Sequence, residues 1–242
     1  MKNKTGVVVG LLLMVLLWIL LFPKTLEGFL GQFFASKFPE GGRTPLRILF
    51  MEHMEMVLIS SFLAIFLGFF LGLFLTTSWG KPFKGSLMKL VSLGQTFPTA
   101  AILALVIPVV GYGLKGAIFA LFLYALMPIV YNVVVGIEEV SEDVVEAAKG
   151  MGMTELDIYR KVKIPLAMNT ILGGIRTSTV INISAATLAA AAGAGGLGVL
   201  VVNGVRTFDM ILILMGSIPV TLMAILTELS IGMLEKKRIY TQ

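Results

Sequence analysis

Six apolar stretches separated by short connections dominate this sequence, and their lengths constrain what the chain can fold into. They cover about residues 6–22, 54–75, 90–110, 116–136, 171–192 and 210–234. A helix that crosses a bilayer needs about 20 predominantly apolar residues, with roughly 17–25 tolerated. Inside lipid a backbone must satisfy its own hydrogen bonds, so runs of this kind read as helices. The expected fold is an all-α membrane bundle of six spans, one domain over residues 1–242, with no length left for a separate soluble domain. Lys2 and Lys4 precede the first stretch as they would in a signal peptide, but Leu21-Phe22-Pro23 offers no small-x-small cleavage site. A retained first helix is therefore expected.

Composition closes off other classes. The chain is 57% hydrophobic and 14% charged, whereas a soluble domain carries about 45–50% apolar and about 25% charged residues. A cytosolic enzyme, a disordered tail and a nucleic-acid-binding module are excluded, because none could cover its surface with so few charges. There is no cysteine and one histidine, His53, so no disulfide, thiolate site or multi-histidine metal site can form within the chain. His53 lies beside Glu52 and Glu55 and reads as a solvated interfacial residue.

Orientation follows the distribution of Lys and Arg. With the N-terminus inside, the inner segments hold Lys2, Lys4, Lys81, Lys84, Lys89, Lys149, Arg160, Lys161, Lys163, Lys236, Lys237 and Arg238. The outer segments hold half as many: Lys24, Lys37, Arg43, Arg47, Lys115 and Arg206. Both termini are expected in the cytoplasm. Trp18 and Trp79 fall near span ends, where interfacial anchors belong.

The longest inner connection, about residues 137–170, is amphipathic. Ser141 is placed to cap a short helix, with Glu142 and Asp143 in its first turn and Val144, Val145 and Ala148 as its apolar face. Gly150-Met151-Gly152 should stop that helix. Thr154, with Asp157 three residues on, should cap a second helix that ends before Pro165.

Glu146-Ala147-Ala148, three residues, Gly152, nine residues, then Val162-Lys163-Ile164-Pro165 resembles the EAA loop of ABC importer permeases, with Val and Ile at the two aliphatic places. The resemblance extends over about residues 52–234. Gln95-Thr96-Phe97-Pro98, Ala185-Ala186-Thr187-Leu188-Ala189-Ala190 and Gly193-Ala194-Gly195-Gly196-Leu197-Gly198 are similar to the quaternary-amine branch, whose members import glycine betaine, carnitine or choline as osmoprotectants. Met168-Asn169 and Ile181-Asn182-Ile183-Ser184 depart from that branch.

The resemblance implies a type I importer permease in a bacterial-type inner membrane, a transport subunit rather than an enzyme. It implies ATP-binding partner subunits that hold ATP and Mg, with no cofactor in this chain. It further implies an outer substrate-binding protein and a second permease copy or paralogue. Glu146, Ala147, Ala148, Gly152, Ile164 and Pro165 would couple to the ATPase. Glu146 would offer a charged acceptor, the two alanines would allow close approach, and Gly152 a sharp turn. Other cargoes within the class are small polar metabolites such as methionine or a phosphonate. A gradient-driven secondary transporter would want midplane ionisable residues and inverted repeats, which the sequence does not display.

Gly193-x-Gly195-x-x-Gly198 follows a membrane span, not a strand, so it reads as a flexible turn at the outer mouth rather than a nucleotide site. No G-x-x-x-x-G-K-[ST] occurs, so this chain does not cradle ATP by a P-loop. Arg176 and Glu228 both sit roughly 8–9 Å inside their spans at about 1.5 Å rise per residue, and an ion pair between them is expected. Pro98, Pro108, Pro128 and Pro219 interrupt spans, with packed kinks expected at Pro108 and Pro219. Gln95, Thr96, Pro98, Ser178, Asn182, Ser184 and Thr187 combine polar groups with small neighbours and are the candidate translocation path. The same four α-helical residues from Ser178 to Thr187 also suit helix–helix hydrogen bonds.

Overall fold

The computed structural model describes residues 2–34 and 44–239, with side chains over 5–34 and 44–235. Lys37 and Arg43 lie outside the described residues, as do the side chains of Lys2, Lys4, Lys236, Lys237 and Arg238. Every regular element among the described residues is helical. In chain order these are α1 (Lys2–Leu21), α2 (Pro23–Leu30), α3 (Leu46–Thr76), α4 (Lys81–Thr96), α5 (Thr99–Val110), α6 (Leu114–Glu138), α7 (Glu142–Gly150), α8 (Glu155–Ile158), α9 (Ile164–Ala189), α10 (Gly198–Thr207) and α11 (Met210–Ile239).

Three helices are long and apolar enough to cross a membrane alone: α3, α6 and α11 as far as Glu235. Two further candidates are bent pairs. The α1–α2 pair turns by 91° and the α4–α5 pair by 107°. The break at Pro98 corrects the expectation of one continuous stretch over 90–110. A residue before proline is pushed out of the helical region, and Phe97 adopts ψ 133°. Pro108, Pro128 and Pro219 instead sit inside unbroken helices. The bend after Leu21 has the same cause, because Pro23 opens α2 at a position where its missing N–H costs nothing.

The expected fifth span is α9, and it is not among the helices apolar enough to qualify by composition. Its position explains this. It packs against α3, α5, α6, α10 and α11, so much of its surface meets protein rather than lipid. The polar groups it carries bond across to neighbours. Ser178 Oγ donates to Ala125 O at 2.7 Å, and Asn182 Nδ2 donates to Ser60 Oγ at 2.8 Å and Ser61 Oγ at 2.9 Å. His53, expected in solvent, is fully buried, and its Nε2 donates to Ile183 O at 3.0 Å. Interhelical bonds of this type contribute about 0.6 kcal/mol on average and up to about 1.7.

Small residues let the backbones approach. On α3 the buried series Ser60, Ser61, Ala64, Gly68, Gly72 runs along one face at helical spacing. A β-carbon on Gly72 would stand 2.6 Å from Val133 Cβ, and one on Gly68 2.9 Å from Ile129 Cγ2, both on α6. The α6–α9 seam is built the same way, with Gly174 against Asn132 and Gly136 against Thr170. Since lipid tails are as apolar as Leu, this contact area and the polar bonds above drive the helices together.

Overpacking such a seam costs about 1–3 kcal/mol. Gly72→Leu should therefore lower the thermal unfolding temperature of the purified protein in detergent. Gly10→Leu, where no atom lies within 4 Å of an added β-carbon, should leave it unchanged.

Candidate functional site

The candidate site is the end of the bundle at which α3 and α6 stop and α9 begins. Helix α7 lies there between two tight turns. Ser141 occupies its N-cap position, though its side chain makes no cap bond; Glu142 and Asp143 fill the first turn and Lys149 the last. At the other end Met153 N donates to Ala148 O at 3.2 Å and Gly152 N to Lys149 O at 2.9 Å. This is a Schellman closure, and it needs a left-handed residue at Gly152, whose φ is +80°. Thr154 then caps α8: its Oγ1 accepts from Asp157 N at 3.2 Å and donates to Asp157 Oδ2 at 2.7 Å. Lys161, 2.6 Å from Asp157, and then the Thr154 hydroxyl hold the Asp157 carboxyl below its usual range, so it stays ionised at neutral pH.

The second helix does not end before Pro165, as the sequence suggested. It runs through one π-helical turn, Tyr159–Lys163, directly into α9. Ile164 N reaches back to Tyr159 O, and Pro165 sits in the first turn of α9, where a missing donor is tolerated. The chain from Glu155 to Ala189 is thus continuous helix. Its lower end is tied to α3 by Tyr159, whose Oη donates to Thr76 O at 2.7 Å. Lys163 Nζ lies 4.9 Å from the centre of the Tyr159 ring, a cation–π contact. Lys84 and Glu138 form an ion pair that joins α4 to the end of α6.

The six expected coupling residues separate by exposure. Glu146, Ala147 and Gly152 face outward, Ala148 is buried, and Ile164 and Pro165 are half-buried where α9 begins. Ala148 packs within this chain, against the bundle end. Val144 is 42% exposed, so the inward face of α7 is Val145 and Ala148 alone. Two clefts, of about 720 and 680 Å³, separate α7 from the ends of α3 and α4. Lys81, Val145, Lys149 and Lys163 line both.

At the opposite end, the glycine turn is pinned rather than flexible. Gly193, Gly195 and Gly196 all have positive φ. Gly196 N donates to Glu52 Oε2 at 2.8 Å, and Gly113 N to Ala192 O at 2.9 Å. Asp209, fully buried, caps α11 through Oδ1, which accepts from Ile211 N at 3.0 Å and Leu212 N at 3.2 Å. Of the candidate path residues, Gln95, Thr96 and Pro98 are exposed at the α4–α5 break, while Ser184 is exposed and Thr187 half-buried on α9. Ser178 and Asn182 are buried and donate hydrogen bonds within the packing seam.

Arg176 does meet Glu228, at 3.3 Å, and it also meets Glu235 at 3.3 Å. The second carboxylate lies one heptad along α11, two turns on the same face, and beyond the boundary drawn for the sixth span. Glu228→Gln alone should be tolerated, since Glu235 still neutralises Arg176. Glu228→Gln with Glu235→Gln should cost more than the two singles combined, read as the yield of detergent-stable protein; simple additivity would contradict a shared site.

Residues 64–240 match the model of the family described as binding-protein-dependent transport system inner membrane component. The chain is 40% identical over 198 residues to the carnitine transport permease protein OpuCB of Listeria monocytogenes, covering 82% of this chain and 89% of that protein. It is 40% identical over 186 residues to the glycine betaine/carnitine/choline transport system permease protein OpuCB of Bacillus subtilis, 77% of this chain and 85% of that one. The osmoprotectant import permease protein OsmY of Salmonella typhimurium is 34% identical over 183 residues, 76% and 78% of the two chains. Among solved structures, a chain of the MetNI methionine ABC transporter in an inward-facing conformation superposes with a TM-score of 0.72 at 20% identity. That likeness of fold covers 81% of this chain and 99% of that one. The protein belongs to the binding-protein-dependent inner membrane transport components and is the permease subunit of an ABC importer, a membrane partner of ATP-binding subunits and a substrate-binding protein.

Proposed function

We propose that this permease imports quaternary-amine osmoprotectants of the glycine betaine, carnitine and choline class, and that α7 receives the motion of the ATP-binding subunits. The substrate class rests on the relatives near 40% identity, whose names carry those solutes. The coupling role rests on one observation above all: helix continues unbroken from Glu155 through Tyr159 into α9, which packs against α3, α5, α6, α10 and α11. A push on the exposed Glu146-Ala147 surface of α7 therefore meets a rigid lever instead of a slack loop.

In this reading α1, α3, the α4–α5 pair, α6, α9 and α11 are the six spans, with both termini in the cytoplasm. A second copy or a paralogue completes the pathway. ATP and Mg bind to the partner subunits, and this chain holds neither. Closure of the ATPase pair moves the two α7 helices together and opens the pathway outward, where the binding protein releases its cargo; hydrolysis and separation reset it. ATP shifts the equilibrium because it favours one of two arrangements, so the permease must be bistable more than tightly binding.

Gly152→Arg places a long, charged side chain at φ +80° on the exposed turn. In proteoliposomes containing the complete transporter, the variant should insert in normal amount yet lose ATP-driven glycine betaine uptake. Wild-type uptake would contradict the coupling assignment. Import of methionine with no import of any quaternary amine by the unaltered transporter would contradict the substrate class.

A further inference from the structure

Helix α4 has three faces, and one of them is polar where lipid would require it to be apolar. Leu87, Met88, Val91 and Gly94 pack on α3 and α6. Phe83, Leu90 and Leu93 form a mainly apolar strip, 63%, 64% and 61% exposed, interrupted by exposed Ser86. Beside it, Lys81, Gly85, Lys89, Ser92 and Thr96 are all exposed, at intervals of four, four, three and four residues, which puts them on one side of the helix.

The register shows how deep this polar strip reaches. Lys84 pairs with Glu138 at the end of α6, while Gly94 meets Met127 near the middle of that helix. So α4 climbs antiparallel along half of α6, and Lys89 stands about 7–8 Å further along than Lys84 at 1.5 Å per residue. Lys89 has no carboxylate partner among the described residues. A charged residue at such a position faces water or a partner charge rather than lipid. At its lower end the strip opens, at Lys81, into the clefts against α7. At its upper end it stops at the α4–α5 break, beside exposed Gln95 and Pro98.

We infer that this strip lines the cytoplasmic half of the translocation pathway and that Lys89 is a specificity-determining residue, favouring zwitterions that carry a carboxylate over bare organic cations. The specificity half rests on the quaternary-amine reading above. A trimethylammonium carboxylate presents an acceptor to the Lys89 ammonium as it passes. A trimethylammonium alcohol presents only like charge, which is repelled.

The chain has no cysteine, so single thiols can be introduced into the complete transporter without background. In inside-out membrane vesicles, Gly85→Cys and Ser92→Cys should react with a charged, membrane-impermeant thiol reagent, and Leu90→Cys and Leu93→Cys should not. Equal labelling, or the reverse pattern, overturns the pathway assignment. In uptake assays Lys89→Gln should raise the choline-to-glycine betaine ratio about three- to tenfold, and Lys89→Arg should keep the wild-type ratio. An unchanged ratio in Lys89→Gln overturns the specificity role. Failure of the unaltered transporter to import any quaternary amine would instead overturn the substrate reading and the specificity claim with it, while the thiol pattern would still decide what α4 lines.

Discussion

Close approach of backbones around α9 is the constraint on which the rest of this structure depends. Lipid gives helices no hydrophobic reason to leave it for one another, so association needs contact area and polar bonds that lipid does not offer. Gly68 and Gly72 bring α3 onto α6, and Gly136 and Gly174 bring α9 onto α6. Ser178, Asn182 and His53 then bond across the gaps that this closeness creates. A larger residue at any of these glycines would separate the helices and strand buried polar groups at once, which makes the seam cooperative.

Helix α9 is also the one that continues into the proposed coupling region, and this links packing to the proposed function. A loop joined to α9 by flexible chain could be displaced without consequence inside the membrane. Here the π-helical turn at Tyr159–Lys163 accommodates Pro165 without breaking the helix, and the Tyr159–Thr76 bond ties the junction to α3. The Schellman turn at Gly152 fixes the angle at which α7 leaves that lever. In the proposed mechanism, motion imposed on α7 is carried as movement of packed helices, the discrete kind of change that a close-packed bundle supports.

Much of this was legible in the sequence, for reasons that differ by residue. The apolar runs showed α3, α6 and α11, because spanning length is a one-dimensional property. The stretch from Ser141 to Asp157 showed α7, its glycine stop and the start of α8, because turn chemistry is local. What eluded sequence reasoning depended on neighbours distant in the chain. His53 looks like a surface residue beside two glutamates, and only the approach of Ile183 buries it. Glu52 holds the glycine turn at Gly196, more than a hundred residues away, so that turn read as flexible. Glu235 lay past the expected end of a span, although its spacing of seven from Glu228 could have paired it with Arg176. The break at Phe97-Pro98 was foreshadowed by the proline, but three other prolines sit in unbroken helices, and nothing local distinguishes them.

The lever requires α8 and α9 to move as one body when ATP closes the partner subunits. Paired spin labels at Leu156 and Leu188, both exposed side chains in a chain without cysteine, would measure it directly in the complete transporter. A rigid lever gives the same interlabel distance with and without ATP, under conditions in which the outward-facing state forms. A distance that changes between those states would mean that the coupling region swings independently of α9, and the lever would be refuted.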